Sequence, residues 1–149
     1  MTLSRSDVVE QIVAAKIQRG LKWSAIAEEF ETSKEWATAA CLGQMALTAE
    51  QAATAVDLFG LPPEAAAVLR TPPARGSLDA AIPTDPLIYR FYELVSVYGT
   101  TLKELIQEEF GDGIMSAIDF RMSLDREPDP AGDRVRISMS GKFLPYRRY

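Results

Sequence analysis

Histidine is absent from this 149-residue sequence, and cysteine occurs once, at Cys41. Without histidine the chain lacks the usual general base near neutral pH, the commonest zinc ligand, and every nucleophile arrangement built on histidine. One cysteine can form neither an internal disulfide nor a thiolate metal site, and alanine-rich surroundings favour a small buried apolar role for Cys41. Any catalysis must therefore use arginine, lysine, carboxylates, hydroxyl groups or backbone dipoles, and we expect no metal.

Long apolar runs are also missing. No stretch approaches the roughly 20 apolar residues that cross a bilayer. The first residues of the chain contain no apolar signal region. We therefore expect a cytoplasmic protein with no membrane partner.

The chain has no excess of basic residues. It carries 16 Lys and Arg against 21 Asp and Glu, a net charge of −5, and residues 1–80 and 81–149 are each acidic. Contacts to phosphates supply much of the affinity of proteins for nucleic acids. This charge balance argues against a nucleic-acid partner.

What the sequence does contain is an ordinary globular composition, with 47% apolar and 25% charged residues. Residues 1–82 show helical signals and end in a proline-rich stretch, whereas residues 83–149 combine helical signals with a period of two near the end. We predict a mostly α protein with a small β part, an α+β fold. Its predicted domains are 1–82, a helical bundle with a linker, and 83–149.

Capping signals divide the first domain into four or five helices. The boxes are Asp7 with Glu10, Thr32 with Glu35, and Thr48 with Gln51. They predict helices over about 7–19, 32–43 and 48–60, with shorter ones from Trp23 and over 64–69. Six of the nine prolines then fall between residues 62 and 86, which predicts a linker of limited flexibility.

Residues 24–43 resemble a helix-turn-helix, two short helices joined by a tight turn, and this raises the alternative of a DNA-binding transcriptional regulator. The charges oppose it. The second helix of the pair offers only Lys34 as a cation, beside Glu35, and three glutamates precede it. Such a surface would repel phosphates, so we interpret the helix pair as a packing unit.

The second domain opens with a strong helix start, since Asp85 can cap a helix and Pro86 suits its first position. Gly99 is a natural stop, which predicts a helix over 85–98. Thr101 with Glu104 forms another capping box, which predicts a second helix ending at Gly111.

A β-hairpin follows the two helices. Apolar and polar residues alternate from Phe120 to Asp125 and again from Arg134 to Met139, with a proline-containing turn between them. The sequence contains no third strand, and an isolated hairpin is marginally stable at best in water. We therefore expect an obligate homo-oligomer in which hairpins of neighbouring chains pair.

Three side chains of this domain are candidates for chemistry. Arg90 and Glu93 are spaced three apart and leave one face of a helix, although this spacing is also typical of an exposed ion pair worth about 0.2 to 0.5 kcal/mol. Ser116 lies just beyond a glycine turn, where its hydroxyl and neighbouring NH groups could hold a small anion. From spacing alone, each of these signals is weak.

The three side chains lie in or beside longer segments of recognisable sequence. The segments PTDPLIYRFYE, VYGTTLKELIQEEFGDGIMSAIDF and GKFLP, together with RGS at 75–77 and LGQM at 42–45, resemble the cyanate hydratase family. The resemblance implies that Arg90, Glu93 and Ser116 are the catalytic arginine, glutamate and serine. The hairpin turn SLDREPDPAGD and residues 146–149 depart from the family pattern, which affects only loop shape and details of the oligomer.

The resemblance also implies an activity and an assembly. Cyanate and bicarbonate would react to give carbamate and carbon dioxide, and carbamate would release ammonia and a second carbon dioxide, with bicarbonate as co-substrate and no cofactor. The family further implies an N-terminal domain similar to helix-turn-helix domains but not used for DNA. Its dimers would be intertwined through an intersubunit sheet and assembled into a decamer.

Overall fold

The computed structural model describes residues 2–76 and 81–149, which fall into two compact units divided between positions 77 and 78. The predicted boundary after residue 82 lies in the same proline-rich segment and stays a prediction. Ser77 of the RGS segment and part of the predicted linker lie outside the described residues. In the described part of the chain, no helix is long and apolar enough to cross a membrane.

The first unit contains five helices between residues 2 and 76. They are α1 (Arg5–Gln18), α2 (Trp23–Glu29), α3 (Lys34–Cys41), α4 (Ala49–Phe59) and α5 (Ala65–Arg70). The cap of α4 is the predicted one, because the Thr48 and Gln51 side chains bond each other's backbone NH groups and Gly60 ends the helix with a positive φ. Two predicted caps are wrong. Ser4 caps α1, three residues before the predicted Asp7, and Ser33 caps α3, one residue after the predicted Thr32.

These helices enclose a closed apolar core. Its largest fully buried side chains are Ile12, Ile26, Leu69, Val8 and Cys41. The side chain of Arg5 ties the first helix to the last, since its guanidinium donates to the carbonyl oxygens of Val68 and Thr71 at the end of α5. The first unit thus buries its apolar core within one chain.

The second unit begins with a single helix, α6 (Pro86–Phe110), 25 residues long. The prediction of two helices separated at Gly99 is wrong. Gly99 has no positive φ and sits inside the helix, where a glycine costs about 1 kcal/mol relative to alanine. The apolar stripe explains why the helix continues, because Leu94, Tyr98, Leu102 and Leu105 keep helical spacing through the glycine.

Two antiparallel strands, β1 (Gly113–Glu127) and β2 (Arg134–Pro145), complete the unit, and they are the only strands in residues 2–76 and 81–149. The hairpin is therefore confirmed, but β1 begins seven residues before the predicted start at Phe120. The earlier start was hidden by a register shift between Met115 and Phe120, where alternation of apolar and polar residues breaks down. Beyond the shift, Met122 pairs with Met139 and Leu124 with Ile137, so the predicted apolar face exists.

Candidate active site

Arg90 and Glu93 lie in the first two turns of α6, which is held at its start by Asp85. The Asp85 carboxylate accepts the NH groups of Leu87 and Ile88, each at 2.9 Å. The Arg90 Nη1 atom lies 2.5 Å from Glu93 Oε2, so the predicted pair is formed. The Arg90 side chain is 63% exposed and the Glu93 side chain 50% exposed, so both are accessible to ligands from outside the chain.

An aromatic ring also approaches the guanidinium. Arg90 Cζ lies 5.5 Å from the centroid of the Tyr89 ring, and the Tyr92 ring centroid lies 5.8 Å from that of Tyr89. Arg90 therefore contacts a carboxylate and an aromatic ring in the same helix.

Ser116 lies in a wide bulge of β1. Four residues, 116–119, stand between Met115 and Phe120, whereas a single residue, Lys142, stands between their partners on β2. Ser116 is only 5% exposed and is the one buried polar residue in the described ranges. A bulge of this kind redirects a side chain away from the regular strand pattern.

The hydrogen bonds of Ser116 determine what its hydroxyl can do. Its Oγ accepts the backbone NH groups of Ile118 and Asp119, both at 3.0 Å. A serine hydroxyl has two acceptor lone pairs and one proton to donate. With both lone pairs engaged, the Ser116 hydroxyl has its proton left to donate, and an anion is a suitable acceptor. A nucleophilic serine would need an adjacent base.

Gly141 makes room for this bulge, a role that the sequence reasoning missed. A Cβ atom at position 141 would collide with the Ser116 carbonyl oxygen and lie 2.5 Å from Met115 Cγ. The signal that could have revealed it is a glycine inside an otherwise regular strand, which often marks a bulge or a close backbone approach.

The structure does not bring Arg90 and Ser116 together within one chain. Arg90 lies twenty residues before Phe110, the last residue of α6, which corresponds to about 30 Å along the helix axis. Ser116 belongs to the opposite end, because its neighbour Met115 pairs with Phe143, whose ring stacks on Phe110 at 5.2 Å. The predicted site residues therefore fall into two groups, Arg90 with Glu93 and Ser116 alone.

Three other features are weaker candidates for a reactive or binding site: Cys41, clusters of metal-ligating side chains, and the surface of α3. Burial raises the pKa of the Cys41 thiol to about 12, so the cysteine stays protonated at neutral pH. The part of the chain that the structure describes contains no cluster of three or more His, Cys, Asp or Glu side chains that could hold a metal ion. At the start of α3, Lys34 pairs with Glu35 at 3.4 Å, which leaves this surface poorly suited to phosphates.

The fold and the site define an α+β protein with a closed helical unit and a second unit that offers an arginine, a carboxylate and a donor hydroxyl. Comparisons with known proteins narrow this class. Residues 5–73 match the family model "Cyanate hydratase, N-terminal", and residues 80–148 match "Cyanate lyase C-terminal domain". The chain belongs to the cyanate hydratase family, a family of lyases.

Individual relatives match almost the whole length of this chain. The cyanate hydratase of Cupriavidus necator is 66% identical over 147 residues, and that of Methylibium petroleiphilum is 65% identical over 147, each covering 99% of this chain and 100% of the relative. The crystal structure of cyanase from T. urticae superimposes with a TM-score of 0.77 at 40% identity, covering 93% of this chain and 97% of that one. These matches confirm the predicted family and α+β fold, and they give no support to a DNA-binding regulator.

Proposed function

We propose that this protein decomposes cyanate in a bicarbonate-dependent reaction, with Arg90, Glu93 and Ser116 as its catalytic residues and no cofactor. The observation that carries the proposal is the identity of 66% over 147 residues with a cyanate hydratase. The absence of histidine from the sequence is compatible with it, because the reaction needs charge stabilisation more than a strong base. We place the reaction in the cytoplasm.

The chemistry begins with two anions. A bicarbonate oxygen attacks the carbon of cyanate, and the resulting adduct carries two negative charges. Uptake of one proton with loss of carbon dioxide leaves carbamate, which takes up a second proton and separates into ammonia and carbon dioxide. Most of the catalytic task is therefore to bring the anions together and to stabilise the dianion.

Arg90 is suited to this task because a guanidinium stays cationic and presents several donors in one plane. The Ser116 hydroxyl, whose lone pairs are engaged by Ile118 and Asp119, adds a donor of fixed direction. Glu93 lies 2.5 Å from the guanidinium, which supports a role in orienting Arg90 rather than in meeting the anions directly. A proton relay through Glu93 during decarboxylation is the second possibility.

One chain does not supply a complete site, since Arg90 and Ser116 lie near opposite ends of α6, about 30 Å apart along its axis. Neighbouring chains must therefore contribute the two groups. The apolar faces of α6 and of the hairpin are exposed in the single chain and offer the surface for this contact. We propose intertwined dimers that assemble into a decamer.

The direct test measures ammonia release from cyanate with and without bicarbonate. We expect release that depends on bicarbonate, and its absence from correctly assembled protein would reject the proposal.

The site assignment has its own test. Arg90→Ala and Ser116→Ala should each lower kcat/KM by at least about 100-fold, the loss typical of removing a group that stabilises developing charge. Oligomer size, measured by light scattering, should not change. If either variant turns over normally, the role given to that residue is wrong.

A further inference from the structure

The geometry around Arg90 points to Tyr89 as a positioning residue for the cyanate reaction. The structure assigns its ring, together with the Glu93 carboxylate, to holding the Arg90 guanidinium in the orientation that receives the anions. This inference rests on the proposed function and adds a residue to it.

The contact itself is well defined. Arg90 Cζ lies 5.5 Å from the centroid of the Tyr89 ring, within the roughly 6 Å over which an aromatic face attracts a cation. Tyr89 is half-buried, whereas Arg90 and Glu93 are both exposed. The ring is therefore more restricted than the arginine side chain that it contacts.

An arginine side chain loses considerable rotamer freedom when it is fixed in one position. The single ion pair with Glu93 engages one nitrogen, Nη1, and leaves the plane of the guanidinium free to turn. The Tyr89 ring is a second contact of the same group and limits this rotation. With two contacts the guanidinium has fewer orientations, which lowers the entropy cost of binding an anion.

The two restraints differ in charge. Glu93 fixes the guanidinium but also cancels its positive charge, because the pair is neutral overall. The Tyr89 ring attracts the cation through its quadrupole and carries no net charge. It can therefore orient Arg90 and leave its attraction for cyanate, bicarbonate and their dianionic adduct intact.

The first experiment uses Tyr89→Phe and Tyr89→Leu, with Phe91→Leu as the control that removes an exposed ring from the same helix. Oxalate serves as a dianion probe, its Kd measured by calorimetry beside kcat and KM. We expect Tyr89→Leu to weaken oxalate about 5- to 30-fold and to raise KM more than it lowers kcat. Tyr89→Phe, which keeps the ring, should stay within about 2-fold of the wild type, and Phe91→Leu within about 3-fold.

A second measurement separates ring electrostatics from packing. Phenylalanines carrying one, two or three fluorine atoms are incorporated at position 89, since fluorination weakens the quadrupole and barely changes the shape. The logarithm of the oxalate Kd should rise stepwise with each fluorine, and a flat series would overturn the inference. This series decides the question even if Tyr89→Leu fails to assemble.

The outcome also distinguishes this inference from the proposed function. If wild-type protein neither binds oxalate nor releases ammonia from cyanate, the proposed function fails and Tyr89 loses its role with it. If the wild type does both and Tyr89→Leu matches it, only the role of Tyr89 is refuted.

Discussion

The two units of this chain solve the problem of burying apolar surface in opposite ways. Residues 2–76 enclose a core in which side chains such as Ile12, Ile26 and Leu69 are almost fully buried. Among residues 81–149 only Pro83 and Ser116 are buried, although α6 and the hairpin are rich in apolar side chains. The first unit thus buries its apolar surface within one chain, and the exposed apolar surface of the second supports the proposal that other copies of the chain cover it.

The largest expected effect comes from placing a charge on the exposed apolar face of the second unit, with the same change on the first unit as the control. Leu102, 48% exposed, lies on the apolar stripe of α6, and Ile17, 72% exposed, lies on α1. Leu102→Asp should break the assembly and remove more than about 99% of the activity, because a buried unpaired charge costs several kcal/mol. Ile17→Asp should leave both unchanged. Light scattering measures the assembly of both variants, and ammonia release measures their activity. If the two variants behaved alike, the claim that only the second unit is covered by other copies would be wrong.

A truncation in the closed core should act on stability instead of assembly. Ile12→Ala removes a fully buried side chain of the first unit and should lower the free energy of unfolding by about 2 to 5 kcal/mol. Ile17→Ala, on the exposed side of the same helix, should stay within about 0.5 kcal/mol of the wild type. Denaturant titration at fixed protein concentration measures both, and a small effect at Ile12 would mean that the core is not closed.

Cys41 provides a probe of the same unit. Burial raises the pKa of its thiol from 9.0 to about 12. The unfolded chain therefore loses this proton at a lower pH than the folded one. The corresponding contribution to stability is complete below pH 9 and declines as the pH rises toward 12. Replacing Cys41 by alanine should flatten this decline, and an unchanged pH profile would contradict the burial of the thiol.

The smallest expected effect tests the continuity of α6. Gly99 is helical, and a Cβ atom there would meet only Val95 Cγ1, at 3.6 Å. Gly99→Ala should therefore stabilise the helix by up to about 1 kcal/mol. If Gly99 ended a helix with a positive φ, as the sequence first indicated, alanine would destabilise it. Thermal unfolding of the assembled protein distinguishes the two signs.

Local signals located the helices of the first unit because these helices are short, but only one of the three predicted N-caps is right. Thr48 with Gln51 and the left-handed Gly60 delimit α4 as predicted, whereas α1 and α3 begin at other caps. The predictions failed where a tertiary or continuous feature outweighed a local one. Gly99 reads as a stop, but the apolar stripe continues through it.

The sequence analysis named three site residues, and the structure shows only part of their predicted geometry. The Arg90–Glu93 pair follows from helical spacing and is confirmed as a contact. The bulge that buries Ser116 and the glycine that admits it depend on cross-strand register, which no local pattern of β1 reveals. The roles of the three residues stay predictions, because a single chain keeps them at two ends of one helix.

A complementation measurement tests most directly whether the active site is shared between chains. Arg90→Ala and Ser116→Ala proteins are mixed in equal amounts, dissociated in mild denaturant and reassembled, with hybrid formation verified by mass spectrometry. A dimer containing one copy of each has one site with both changes and one with neither, so the mixture should recover up to about a quarter of wild-type activity. Verified hybrids that stay as inactive as either parent would contradict the account.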